Sequence, residues 1–285
     1  MLRVCILGSA GQIGSSLSSH LKKSGHEVHL FDIENSEHQD LRLEKNPELI
    51  SLLRESDFCF FLAFDVGGSR YLTIHDHSYD FIDNNLRIMQ NTFSILDKFK
   101  VPFIFASSQM STMVHSNYGI LKLLGEKITQ SMNGLVVTFW NIYGSETSNE
   151  KYHVISDFIE MSHRNGKITM LTDGEEVRDF LHVFDCSNAL EIIMLNYKMF
   201  LEKGNIHIAS FTWTKIIDIA KIVSSLIGSE IIPGYSKDLV QRDNFRAPDP
   251  YLLEYWKPTI SIAEGIKQVN DEYLMKFEIK YKDFL

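Results

Sequence analysis

Cysteine is scarce in this chain: Cys5, Cys59 and Cys186 lie far apart and show no paired spacing. That speaks against a disulfide framework and a cysteine zinc site, and makes a reduced, cytoplasmic setting the expectation. Positive charge is also in deficit, with 28 Lys and Arg against 37 Asp and Glu and a formal net charge of -9. Binding to phosphate backbones wants a basic stripe, so no nucleic-acid partner is expected. No stretch approaches the roughly 18 apolar residues of a membrane helix, and the apolar run RVCIL near the start is too short for a signal peptide. No membrane partner is expected either. Internal repeats, low-complexity tracts and a Pro/Gly/Ser linker are all missing. What remains is a globular composition, 44% hydrophobic and 23% charged over 285 residues, enough for one long domain or two unequal ones.

Apolar runs alternate with helical patterns. Strands are expected at 4–7, 27–32, 57–63, 101–107 and 135–141, and helices at 12–24, 47–54, 78–99 and 117–132. Strands that are apolar on both faces and alternate with helices imply a doubly wound parallel sheet covered on both sides, an α/β fold. Beyond about residue 143 the pattern loosens. The aromatic run 58–64 reads as core strand and the cysteines as small buried hydrophobes. His75 and His77, beside Asp76, read as solvated loop histidines; no metal is expected, because the ligand count is too low.

The stretch GSAGQIG places Gly8, Gly11 and Gly14 in the first strand-to-helix turn. Glycines there permit positive backbone angles and let a pyrophosphate approach the amides of the helix N-terminus. Alone the spacing also suits an ordinary turn, but the second strand ends in Asp32, eighteen residues beyond Gly14. That carboxylate is placed to accept two ribose hydroxyls and to repel a 2′-phosphate, with Glu34 adding to the repulsion. Further on, NYGILKLLGE sets Tyr118 and Lys122 four apart, on one helix face. A nearby cation favours a phenolate, so a lowered tyrosine pKa and a general base are expected there. A strand ending in Ser107–Ser108 precedes it and offers a hydroxyl to the same substrate oxygen.

These motifs resemble the extended short-chain dehydrogenase/reductases, in their nucleotide-sugar epimerase/dehydratase branch. GSAGQIG looks like that family's GxxGxxG, FLAF at 61–64 like HLAA, and NNLRIMQNT at 84–92 like NVxGTxNL. YGILKLLGE is similar to YGxSKxxGE, TFWNIYG to RxFNVYGP, TDGEEVRDFLHVFD to GDGxxxRDFxYVxD, and WKPTISIAEGI to WxPxxxLEEGL. The resemblance implies a Rossmann-type domain at 1–142 plus 177–199 and a smaller C-terminal α/β substrate-binding domain at 143–176 plus 200–285. It implies NAD held by Gly8, Gly11, Gln12, Ile13, Gly14, Asp32, Ile33, Asp40, Leu41, Leu62, Ala63 and Asn85, together with Tyr118 and Lys122. Ser108, Tyr118 and Lys122 take the catalytic roles. Asn141, Arg178 and Arg242 face a nucleotide-diphosphate sugar, with Arg178 on the diphosphate and Arg246 a rival to Arg242.

The chain also departs from the family. Only ten positions separate Ser108 from Tyr118, Ser111–Thr112–Met113 stands in place of VYG, and Thr138 replaces the arginine of RxFN. The expected function is epimerisation at sugar C4, by oxidation and re-reduction on NAD. A reductase or dehydrogenase of an activated sugar, and an NAD-responsive regulatory or scaffold protein, are the alternatives. A homodimer through the helices after the third and fourth strands is expected. Because Gln109, Met110, Ser111, Thr112 and Met113 supply no acid beside the serine, no loss of water or carbon dioxide is expected.

Overall fold

The computed structural model describes residues 1–146, 151–238, 240–241 and 246–282, with side chains to residue 276. The first half winds as β1 (Arg3–Leu7), α1 (Gln12–Lys23), β2 (Glu27–Phe31), α2 (Pro47–Glu55), β3 (Phe58–Phe61), α3 (Ser69–His75), α4 (Tyr79–Phe99), β4 (Phe103–Ser108), α5 (Asn117–Ser131) and β5 (Leu135–Phe139). The second half continues through β6 (Asn141–Tyr143), α6 (Val154–Asn165), β7 (Lys167–Thr169), β8 (Val177–His182), α7 (Val183–Leu195), α8 (Tyr197–Lys203), β9 (Asn205–Ile208), β10 (Trp213–Lys215), α9 (Ile216–Ile227), β11 (Glu230–Ile232) and α10 (Ile262–Lys282).

Six strands form one parallel sheet in the order β2-β1-β3-β4-β5-β9. The direction of winding reverses between β1 and β3, where a doubly wound sheet opens its ligand crevice. Successive residues point to opposite faces. Val4, Ile6, Phe58, Phe60 and Ile104 therefore pack with Leu17 and Leu21 of α1 and Leu190 and Ile193 of α7. Cys5, Leu7, Cys59, Phe61 and Phe105 pack with Leu49 of α2, Phe93 of α4 and Leu121 of α5. Two-faced burial is why the strands read as unbroken apolar runs. The expected strand at 135–141 breaks at Trp140, and its last residue, Asn141, opens β6, which leaves the large sheet to pair with β8.

A third core lies between α6, α9 and α10, with Phe158, Ile159, Ile219, Val223 and Ile266 at its centre. Beside it, β10-β8-β6 and β11-β7 form small sheets. Sheet membership does not follow the boundaries expected from the sequence at two strands. Strand β9, within the 200–285 stretch given to the smaller unit, is the sixth strand of the large sheet, and Leu252 and Trp256 belong to that sheet's core. Conversely β8, assigned to the large unit, pairs among the described residues only in the three-stranded sheet. The chain crosses between units more often than its composition reveals, because contacts and not linkers delimit them. Among the described residues no helix is long and apolar enough to cross a membrane.

Candidate active site

A cavity of about 1230 Å³ lies along the carboxyl ends of β1 to β5 and reaches β7, β8 and residues 236–238, 240 and 241. Its volume exceeds the roughly 300–1,000 Å³ of an ordinary small-molecule site, giving room for two ligands.

At one end sits the glycine turn. Gly8 has φ +87°, and a Cβ there would stand 2.7 Å from the Ala63 amide nitrogen. A Cβ on Gly14 would stand 2.1 Å from the Gly8 carbonyl oxygen. Gly11 caps α1 without a side chain, and the first turn of α1 carries no acid. The turn thus leaves bare helix amides on the cavity wall, where they favour an anion such as a pyrophosphate. Asp32 accepts hydrogen bonds from the backbone N–H of Ala10 (2.9 Å) and Glu34 (3.0 Å), so it braces the turn as well as facing the cavity. Gln12 donates to the Gly144 carbonyl at 3.1 Å. Ile13 and Leu62 pack on the sheet core while lining the cavity with Leu41 and Ala63, and Ile33 is at the exposed rim. Asp40 is gripped by Arg42, which also donates to Asn84 at 3.1 Å.

Asn85 lies beneath the cavity and does not line it. Fully buried, it accepts from the Asp65 N–H (2.8 Å) and donates to the carbonyls of Asp65 (3.1 Å) and Phe81 (2.9 Å). It shapes the turn after β3 from beneath, and its neighbour Asn84 lines the cavity instead.

The catalytic candidates converge. Ser108 ends β4, where its hydroxyl accepts from the Met110 N–H at 3.2 Å and lies near enough to the Tyr118 phenol to bear on its protonation. Lys122, one turn beyond Tyr118 on α5, donates from Nζ to the Ala106 carbonyl at 2.7 Å. The same ammonium lies 3.7 Å from the centre of the Phe64 ring and 5.7 Å from that of Tyr118. Glu126, a turn further, accepts from Ser107. The expected lowering of the phenol is not what the structure shows. Burial pushes Tyr118 up to about 12, with the Ser108 hydroxyl only partly opposing it. Burial pushes Lys122 down to about 7, with Glu126 partly opposing. Desolvation penalises both charged forms more than the pair's mutual arrangement relieves them.

At the far end Asn141 accepts from Gln109 (3.2 Å) and donates to the Asp179 carbonyl (3.2 Å). Arg178, buried, pairs with Asp238 at 2.5 Å and donates to the Gln241 carbonyl at 3.2 Å. Arg242 lies outside the described residues, and Arg246 is exposed and off the cavity wall. Several cavity residues had no signal in local spacing. Asp65 binds Lys151 (3.0 Å), Tyr71 (2.7 Å) and Asn84 (3.2 Å). Burial alone would raise its carboxyl, but these partners hold it below the usual range. Glu146 pairs with half-exposed His153 at 2.6 Å, and His153 outweighs burial to lower its carboxyl. Phe64 is marked only by its departure from HLAA. Among the described residues no group of His, Cys, Asp and Glu is arranged to hold a metal.

A glycine cradle at a helix N-terminus, an acid closing β2 and a Ser–Tyr–Lys set on one wall define a dinucleotide-dependent α/β enzyme. The chain belongs to the NAD dependent epimerase/dehydratase family, which matches residues 4–209. Among characterised proteins it is similar to a UDP-N-acetyl-alpha-D-glucosaminuronate decarboxylase of Bacillus cytotoxicus, 27% identical over 66% of this chain and 69% of that one. It is also similar to a GDP-L-fucose synthase of Sinorhizobium fredii, 23% identical over 95% of each. In fold it resembles an epimerase from Methanothermobacter thermautotrophicus, with a TM-score of 0.85 and 20% identity over 99% of this chain and 94% of that one. NAD is accordingly the cofactor, and the uncapped, acid-free N-terminus of α1, held close to β1 by the packing of Gly8 and Gly14, suits its pyrophosphate.

Proposed function

We propose that the protein epimerises a nucleotide-diphosphate sugar at C4. The observation that supports this most is the composition of the reacting wall. Ser108, Tyr118 and Lys122 meet there, and the chain beyond Ser108 brings the amide of Gln109 and the thioether of Met110, with no carboxyl. The cavity's substrate-side acids are engaged elsewhere: Asp65 with Lys151, Glu146 with His153, Asp157 with Arg70, Asp238 with Arg178, and Glu176 with the Thr172 hydroxyl. Bound in the glycine cradle, NAD supplies a hydride acceptor that later returns the hydride.

Ser108 holds the sugar hydroxyl and Tyr118 takes its proton as the C–H hydride leaves, forming a ketone. Lys122, one turn away and lowered to about 7 by burial, would in its protonated form place a charge beside the phenolate. Return of the proton from Tyr118, with hydride entering the opposite face, restores the mass and inverts the centre. Arg178 and Asn141 hold the nucleotide diphosphate, Arg178 by exchanging Asp238 for phosphate. Exposed Leu86 on α4 and Ile120 and Leu124 on α5 support a homodimer through these helices.

The test is incubation with UDP-, dTDP- and GDP-sugars and analysis of product mass and configuration. A new configuration at unchanged mass is expected. A product lighter by water or carbon dioxide overturns the reading, and stoichiometric consumption of NAD or NADH assigns a dehydrogenase or reductase instead.

A further inference from the structure

The connection from Ser108 to Tyr118 is short, so little of it is available to fix where α5 begins. A residue from another part of the chain does so. Asp76, which closes α3, is buried to 6% exposure and turns its carboxylate onto the first residues of α5. Its Oδ1 accepts from the Tyr118 N–H at 2.7 Å and from the Ser116 hydroxyl at 3.2 Å, and its Oδ2 from the Asn117 N–H at 3.0 Å. The Asp76 carbonyl accepts from the Asn117 side chain at 2.9 Å. Ser116 itself accepts from the Gly119 N–H at 3.3 Å. That single serine is the cap an ordinary helix start uses. On the other side there is no slack, because a Cβ on Gly119 would stand 2.3 Å from the Met110 carbonyl and 2.7 Å from that of Met113.

We propose that Asp76 is the positioning residue for Tyr118, clamping the backbone of the proton-handling residue between its carboxylate and the 110–113 turn. The amide it holds at the shortest distance is that of Tyr118 itself. The clamp also couples two walls of the cavity. Residues 69–73 of α3 line it, and the same helix ends in the carboxylate that sets Tyr118. Ligand contacts with α3 thus bear directly on where the phenol stands. The proposal rests on Tyr118 acting as the proposed function assigns.

Asp76→Asn keeps an oxygen for one N–H and turns an amide against the other donors, while Asp76→Ala removes both acceptors. A displacement of about 1 Å costs on the order of 10²-fold in rate. Asp76→Ala is therefore expected to lose roughly 10²-fold in kcat and Asp76→Asn roughly tenfold, with KM and NAD affinity within about twofold. A second readout needs no turnover. In protein labelled with 3-fluorotyrosine, the fluorine resonance that vanishes in Tyr118→Phe reports the phenol's surroundings. It is expected to shift or broaden in Asp76→Asn while the other tyrosine resonances hold. A lowered melting temperature with unchanged kcat and an unmoved Tyr118 resonance overturns the proposal and leaves Asp76 a helix cap. Should Asp76→Ala not fold, Asp76→Asn carries the test. If the wild type turns over no nucleotide sugar, the proposed function falls, and the fluorine resonance alone decides the role of Asp76.

Discussion

Lys122 carries its ammonium into a site 3% exposed, where a carbonyl, an aromatic face and Glu126 replace water incompletely. Its value of about 7, against 10.5 ordinarily, means the unfolded chain binds more protons across that window. Stability from this residue therefore rises with pH between those values and is lowest below the folded value. Lys122→Met removes the titration. The melting temperature of the unliganded variant, relative to wild type, is expected to be higher at about pH 6 than at about pH 10. A pH-independent difference in melting scans contradicts this. Asp32 gives a second test at this scale. Its carboxylate faces the cavity beside Glu34, so NAD(H) is expected to bind more than about tenfold tighter than NADP(H), over 1.4 kcal/mol. Titration of both dinucleotides decides it, and equal affinities remove Asp32 from that role.

Among the elements, α1 depends most on a single missing atom. Alanine at residue 14 would bring its Cβ to 2.1 Å from a backbone oxygen, so the first turn of α1 must swing off β1. Overpacking of this kind costs about 1–3 kcal/mol, so Gly14→Ala is expected to weaken NAD binding about 5- to 150-fold while far-ultraviolet dichroism stays near wild type. An affinity within twofold of wild type counts against the cradle. The main elements of the first half match the expected pattern to within a few residues, since each has its own period and caps: Asn46 with Pro47 opens α2, Ser78 opens α4 and Ser116 opens α5. Helix α3 carries no such signal. It is short, and its start is set by contact, not by propensity: a Cβ on Gly68 would lie 2.1 Å from the Tyr152 carbonyl.

At the scale of the whole molecule, the segment after β3 and the residues around the start of α6 touch across the cavity. Lys151 pairs with Asp65 at 3.0 Å, the Gly68 N–H donates to the Lys151 carbonyl at 3.1 Å, and Arg70 pairs with Asp157 at 3.1 Å. All of these residues line the cavity. A bridge there should slow the escape of a bound dinucleotide. A half-exposed ion pair is worth at most about 1 kcal/mol, so Lys151→Met is expected to release NADH up to about fivefold faster. Salt screens such a pair, so the difference should shrink as ionic strength rises. Stopped-flow displacement of NADH at low and high salt measures both. Equal release rates at low salt would leave the bridge without a part in retention.

The glycine turn, Asp32 and the Tyr118–Lys122 pair were legible in the sequence because local spacing determines which residues share a helix face or close a strand. The alternation of runs likewise determined a doubly wound sheet. Which distant group answers each charge was decided only by the tertiary structure. Asp238 on Arg178, Asp65 on Lys151 and Asp76 on Tyr118 join residues 60, 86 and 42 positions apart. Burial, too, is a property of the assembled site. The sequence pairs a tyrosine with a cation and so suggests a lowered phenol. The folded site removes water from both groups and pushes Tyr118 up to about 12 and Lys122 down to about 7. Spacing along a chain determines direction, whereas partnership and desolvation depend on what the rest of the chain brings within a few ångströms.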